Sequence, residues 1–308
     1  MSGALLTRGD RVGVVATGFA ARPQALDAGI AALRRRGLVP VPGPHLRSID
    51  GYFAGDDASR AGDLDAAVAD PDLAALWFAR GGYGTARILD RFDLDRLVRR
   101  PKLLLGYSDL TGLFATLLRR VATVCLHAPV VAELGNRLDF HAPSLNAALA
   151  GRATRRRVAS RDVLRGGSAR GRLMGGNLTV LCHLLGTRHM PALEGAVVFL
   201  EETGEEAYRI DRLLQHLRSS GALSGARAIL LGRFHVPPTA RSFPGDRDVD
   251  AVVRDHLLPL DVPVVSGIPA GHGPGKWTLP LGGTASLDTR AGLLTFDPRP
   301  APRPSKKG

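Results

Sequence analysis

Four short apolar runs, VGVVAT at 12–17, LAALWFA at 73–79, KLLLGY at 102–107 and ATVCLHAP at 122–129, show little polar alternation, and stretches of helical spacing separate them. A strand apolar on both sides must be covered on both sides, a need met by parallel sheet flanked by helices. The intervening segments supply those helices. PQALDAGIAALRRRG at 23–37 has Pro23 near its start and Gly37 as its stop. DDASRAGDLDAAVAD at 56–70, TARILDRF at 85–92 and DLTGLFATLLRR at 109–120 read as further helices, and LVPV at 38–41 as a shorter strand. Residues 1–135 therefore predict an α/β domain on a parallel sheet.

The pattern changes after Gly135. Residues 136–170 hold Pro143, a helical LNAALAG and the basic ATRRRVASRDVLRGG, and read as a linker or excursion. Residues 171–298 predict a second domain: a helix at 175–186, a strand at 196–201, an amphipathic helix at 208–221, a strand at 226–234, a helix at 248–259, a strand at 263–269 and a hairpin of TASLD and LLTFD. The Pro-rich, basic residues 299–308 predict a disordered tail.

Several function classes fall away. No apolar run approaches the ~18–20 residues of a membrane span. MSGALLTRGDRVG lacks the apolar core of a secretory signal, so no membrane or export role is expected. Cys125 and Cys182 form no CxxC, which argues against a disulfide framework or cysteine zinc site and fits a reducing cytoplasm. A net charge of +12 raises the question of nucleic acid. Yet only Lys102, Lys276, Lys306 and Lys307 are lysines, the arginines are dispersed, and no basic stretch is interleaved with aromatics. The expectation is no nucleic-acid partner, and a field that favours small anionic substrates.

Four local features can carry chemistry. In LLLGYSDLTGLF, Ser108 stands between a strand and a helix, placed like an exposed nucleophile, although Ser108 or Asp109 could equally be a helix cap. The Asp109 amide, at a helix N-terminus, can donate to an oxyanion. In ARGGYGTAR, Gly81 and Gly82 follow a strand and permit close backbone approach to a ligand; a plain turn is the alternative. In FLEETGEEAYRIDR, Glu201 ends a buried strand, where an uncompensated carboxylate is costly, while Glu205 and Glu206 can simply favour a helix start. In SGIPAGHGPGKW, His272 lies among glycines beyond a strand, whereas His127 and His183 read as structural. No dinucleotide fingerprint or metal-ligand spacing occurs, so neither cofactor nor metal is expected. Ser, His and Glu suffice for a relay in which a carboxylate orients the base of a hydroxyl nucleophile.

GDRVGVVA at 9–16, RGGYGTARILD at 80–90, GYSDLTGL at 106–113, GGNLTVLCHLLGT at 175–187, FLEETGEEAYRIDRLL at 199–214 and GHGPGKWTLPLG at 271–282 together resemble the LD-carboxypeptidase family of muramoyltetrapeptide carboxypeptidases and microcin C immunity hydrolases. The motifs stand in family order from about residue 9 to 297. The resemblance implies a flavodoxin-like or amidotransferase-like N-terminal domain and a smaller swivelling β/β/α C-terminal domain. It implies a serine peptidase with Ser108 as nucleophile, His272 as base and Glu201 as the triad acid, Glu202 and Glu205 being fallback assignments. Asp109, Gly81 and Gly82 match its oxyanion hole. Arg80 is the expected clamp for a substrate carboxylate, with a turn-holding salt bridge as its alternative, and Tyr83 is expected beside it in the substrate site. The implied reaction removes the terminal D-alanine of a murein tetrapeptide in a cytoplasmic homodimer that needs no metal. Thr17-Gly18-Phe19 departs from the family's usual Pro-Ser-Gly-like turn. Two rival readings are hydrolysis of a peptidyl or aminoacyl nucleotide and a noncatalytic muropeptide sensor. Phe140 is the lone aromatic of 135–171, which favours the muropeptide over a stacked base.

Overall fold

The computed structural model describes residues 4–237 and 247–301. Strands β1 (Arg11–Val15), β2 (Val39–Pro42), β3 (Leu73–Phe78), β4 (Leu103–Gly106) and β5 (Cys125–His127) pair in parallel in the order β5-β4-β3-β1-β2. The crossovers contain α1 (Pro23–Arg35), α2 (Asp57–Ala69), α3 (Thr85–Ile88), α4 (Leu94–Arg99) and α5 (Thr111–Arg120). Side chains alternate between the two faces. On β3, Leu76 and Phe78 enter one core while Ala75 and Trp77 enter the other. Leu26, Ile30 and Leu33 form the stripe by which α1 covers the Trp77 face. The α/β expectation for this half holds.

The stretch expected as a linker is built into both layers. Helix α6 (Ala142–Leu149) sends Leu145 and Leu149 into the Trp77 core. Strands β6 (Thr154–Arg157) and β7 (Val163–Arg165) form the two edges of a second sheet. The sequence TRRR hides β6 because an edge strand with alternately half-buried and exposed residues needs no apolar run. That sheet also contains β8 (Ser168–Asn177), β9 (Ala196–Thr203), β10 (Ala228–His235), β11 (Val264–Val265), β13 (Thr284–Asp288) and β14 (Leu293–Asp297), in the order β6-β14-β13-β8-β9-β10-β11-β7. The predicted hairpin is β13–β14. Helices α7 (Leu178–His183), α8 (Ala207–Ser219) and α9 (Val249–Leu257) connect its strands.

Three boundaries differ from expectation. The helix predicted from 175 starts at Leu178, because Gly175 and Gly176, with φ of 114° and 142°, still belong to β8. A Cβ on Gly175 would lie 2.0 Å from the Phe199 carbonyl oxygen, so glycine permits this close approach to β9. Strand β12 (Leu279–Leu281) leaves the C-terminal half and adds antiparallel to β5 at the edge of the first sheet. The tail expected to be disordered from 299 stays packed to Ala301, whose N–H donates to the Gly282 carbonyl; the rest of that expectation, 302–308, lies outside the described residues.

The two sheets share a core. Leu104, Leu113 and Phe114 from the first half join one apolar cluster with Leu173, Val198 and Leu214 from the second. In the first sheet, strand order reverses between β1 and β3, so the loops after those strands adjoin at a switch point. There the Phe19 N–H donates to the Gly81 carbonyl at 3.1 Å. Among the described residues, no helix is long and apolar enough to cross a membrane.

Candidate active site

Strand β4 ends on buried Gly106, buried Tyr107 follows, and the chain then turns sharply. Ser108 has φ of 66°, a left-handed conformation costly for any side chain, and begins a 3-10 turn, Ser108–Leu110, that runs into α5. The strand-to-helix placement read from sequence is therefore present, and it stores strain that a plain helix cap would not need. Gly81 abuts the serine: a Cβ there would sit 3.0 Å from Ser108 Cβ and 3.2 Å from its Oγ. Gly82, with φ of 105°, turns toward Phe19 instead.

Asp109 anchors the turn. Its buried carboxylate accepts the Thr85 N–H at 2.8 Å and the Thr85 hydroxyl at 2.7 Å. Burial pushes this carboxyl up to about 6, and the Thr85 bonds offset only part of the effect. Gly18 leaves room for it, since a Cβ there would meet Asp109 Oδ2 at 2.7 Å. The departure at Thr17-Gly18-Phe19 thus serves this anchor, and Thr17 Oγ1 lies 2.8 Å from Thr85 Oγ1.

Glu201 and His272 meet. Glu201, near the end of β9, is 0% exposed, and its Oε2 accepts His272 Nδ1–H at 2.8 Å and the His272 backbone N–H at 3.2 Å. Burial pushes the Glu201 carboxyl up, but the hydrogen bonds and charge of His272 outweigh it and hold the group below its ordinary value. With Nδ1 engaged, Nε2 is the ring nitrogen left to act as a base. Gly271 supports the contact, because a Cβ there would lie 2.5 Å from Glu201 Oε2. The fallback carboxylates line the same cavity as His272, but neither bonds to His272. Glu202 accepts the N–H groups of Thr179 and Thr203 and the Asn177 amide, and burial raises its carboxyl. Glu205 pairs with Arg209 at 3.7 Å.

Ser108 and His272 line one cavity of about 680 Å³, with Asp109, Gly81, Gly82, Arg80 and Tyr83 also in its wall. No hydrogen bond joins Ser108 to His272. Such bonds are commonly long before substrate binds. Among the described residues, Arg80 makes no salt bridge; its Nη1 donates to the Ala20 carbonyl at 2.7 Å and its guanidinium lies 5.6 Å from the Phe19 ring. Tyr83 is 45% exposed on the rim. Among the described residues, no group of three His, Cys, Asp or Glu is arranged to hold a metal ion.

Sequence reasoning missed Tyr107, Glu133 and Lys276 as neighbours of this site, and it read His127, which lies beside Tyr107, as structural. The Tyr107 ring lies 4.9 Å from that of His272. Glu133 accepts the Tyr107 hydroxyl at 2.8 Å and the Lys276 ammonium at 2.6 Å. His127 is wholly buried, and burial lowers its imidazole to about 4 against the pull of Glu201. Its Nε2 and Glu201 Oε1 are buried without hydrogen-bond partners. One signal was available: Lys276 is among only four lysines, and it sits four residues beyond His272.

Comparison with known proteins bears on this site. The LD-carboxypeptidase N-terminal domain family matches residues 12–128, and the LD-carboxypeptidase C-terminal domain family matches residues 170–287. The chain is 40% identical to a Streptomyces coelicolor protein with a provisional carboxypeptidase name, over 97% of this chain and 96% of that one. It is 31% identical to the murein tetrapeptide carboxypeptidase of Pseudomonas aeruginosa, over 90% and 93%. The crystal structure of a muramoyltetrapeptide carboxypeptidase from Oxalobacter formigenes superposes with a TM-score of 0.85 at 30% identity, covering 94% of this chain and all of the other, 100%.

Proposed function

Since the chain belongs to the LD-carboxypeptidase family, we propose that it removes the terminal D-alanine of murein tetrapeptides by acyl transfer, with Ser108 as nucleophile, His272 as base and Glu201 as the carboxylate that orients the base. The observation that carries this reading is the 2.8 Å bond between fully buried Glu201 and His272 Nδ1, opening on the cavity whose wall holds the strained Ser108.

His272 Nε2 takes the Ser108 proton as Oγ attacks the carbonyl carbon between the diamino acid and D-alanine. Glu201, kept ionised by its contacts with His272, stabilises the imidazolium that forms. The tetrahedral oxyanion is met by backbone N–H groups of Asp109 and of the Gly81-Gly82 turn. The imidazolium returns its proton to the departing amine, leaving an acyl-serine. Water, activated by the same imidazole, then releases the shortened peptide and restores Ser108. Arg80 is the clamp for the D-alanine carboxylate, since a guanidinium matches a carboxylate bidentately, and Tyr83 borders it. The reading places the enzyme in the cytoplasm as a homodimer, acting on small peptides recovered from the wall.

The test is D-alanine release from murein tetrapeptide, followed by mass spectrometry for the wild type, Ser108→Ala and Glu201→Gln. Release by the wild type, none by Ser108→Ala and a fall in kcat of ~10³–10⁴-fold for Glu201→Gln are expected. Equal release by Ser108→Ala overturns the nucleophile. Silence from the wild type, with turnover of an aminoacyl nucleotide, overturns the substrate.

A further inference from the structure

Lys276 belongs to the loop that carries His272 from β11 to β12, yet its side chain is only 4% exposed. Its Nζ donates to Glu133 Oε1 at 2.6 Å, and the same oxygen accepts the Tyr107 hydroxyl at 2.8 Å. Glu133 Oε2 accepts the Val130 N–H at 3.1 Å. The ammonium also lies 5.0 Å from the centroid of the Tyr107 ring. Around this pair the backbone is stitched to the first half of the chain: the Gly275 N–H donates to the Leu138 carbonyl at 2.7 Å, and the His141 N–H to the Lys276 carbonyl at 2.9 Å.

With Lys276 buried and Glu133 22% exposed on the cavity wall, the pair is poor evidence for stability, because the cost of desolvation rivals the attraction. The pair does, however, fix geometry. Tyr107 immediately precedes Ser108, and its ring packs 4.9 Å from that of His272. A compact ammonium suits this place better than a guanidinium fork, since it meets one carboxylate oxygen and one ring face.

We propose that Lys276 and Glu133 are positioning residues for the Ser108–His272 pair: through Tyr107, their ion pair holds the end of β4 and the His272 loop at one separation. This rests on the serine-peptidase reading above. The charged and titratable groups that face His272 are Glu201 on β9, His127 on β5, Arg233 and His235 on β10, which approach the His272 carbonyl at 3.5 and 3.1 Å, and the Lys276–Glu133 pair behind Tyr107. The last is neutral as a whole, so removing either partner leaves a charge of known sign against Tyr107, whose ring packs on the imidazole.

The experiment compares Lys276→Met, Glu133→Gln, Lys276→Arg and the double variant Lys276→Met/Glu133→Leu, each with pH profiles. Lys276→Met leaves Glu133 negative, which favours imidazolium and moves the acid limb of kcat/KM to higher pH. Glu133→Gln leaves Lys276 positive and moves that limb lower. Shifts of ~0.5–1 pH unit in opposite directions are expected. With them, kcat falls ~10–100-fold while KM changes little, and Lys276→Arg recovers part of the loss. The double variant returns the limb to its wild-type position but keeps the low kcat. Limbs that do not move, or move together, overturn the proposal, as does a double variant with wild-type kcat. Should both single variants fail to fold, the double variant's kcat alone decides. NMR titration of His272 in the free protein reads the same opposite shifts without turnover. Failure of the murein substrate is therefore distinguishable from failure of the positioning role.

Discussion

Ser108 carries the tightest residue-scale constraint, a side chain at φ of 66°. The left-handed conformation costs ~1–2 kcal/mol for a residue with a Cβ, whereas glycine adopts it freely and loses ~0.5–1 kcal/mol elsewhere through chain entropy. Ser108→Gly should therefore be at least as stable as Ser108→Ala, by up to ~1 kcal/mol, although neither releases D-alanine. Paired urea melts check this, and a less stable glycine variant would show that the turn is unstrained. Asp109 makes a second prediction. Its carboxyl is held at about 6 against an ordinary 3.8, so between those values the folded state binds more protons than the unfolded state. Stability then falls as pH rises from about 4 to about 6. Asp109→Asn should remove that slope, read as the difference in urea midpoint between the two proteins across pH 4–7. The triad candidates were legible because each lies near or beyond the end of a recognisable strand. Lys276 and Glu133 were not, because their contact spans 143 positions and neither lies in a pattern that names its partner.

At the scale of elements, two glycines separate the site from the scaffold. A Cβ at Gly81 would crowd Ser108 at 3.0 Å, in a loop that can give by a few tenths of an ångström. Gly81→Ala is expected to cut kcat/KM at least ~10-fold with little change in melting. A Cβ at Gly175 would meet the Phe199 carbonyl oxygen at 2.0 Å, between paired strands that cannot part, and the backbone there has φ of 114°. Gly175→Ala should cost ~3 kcal/mol or more, or abolish soluble expression. Thermal melts with activity assays distinguish the two effects. The same contrast explains what the sequence disclosed. Strands β1, β3 and β4 are buried on both sides and announce themselves as apolar runs. Strands β6 and β7 are short edges with no fully buried residue, and their existence follows only from the partners they pair with.

For the whole molecule, the division into two halves along the sequence is less sharp in space. One apolar cluster joins the face of the first sheet to the second sheet, and β12 crosses back to pair with β5. Domains that share a core lose it together. A single calorimetric transition is expected, with the van't Hoff and calorimetric enthalpies equal; two resolved transitions would show that the halves melt separately. Composition told little of this, since net charge and hydropathy describe surface and solubility rather than connectivity.

The return of β12 also sets a problem of timing for the ribosome. Strand β5 is complete at His127, but its edge partner opposite that residue is Leu279, 152 positions later. At ~5–20 residues per second, the nascent first sheet waits ~8–30 s with an open apolar edge. A chain stalled or truncated in that window presents a ready template for another copy, so chaperone demand should concentrate there rather than on the finished protein.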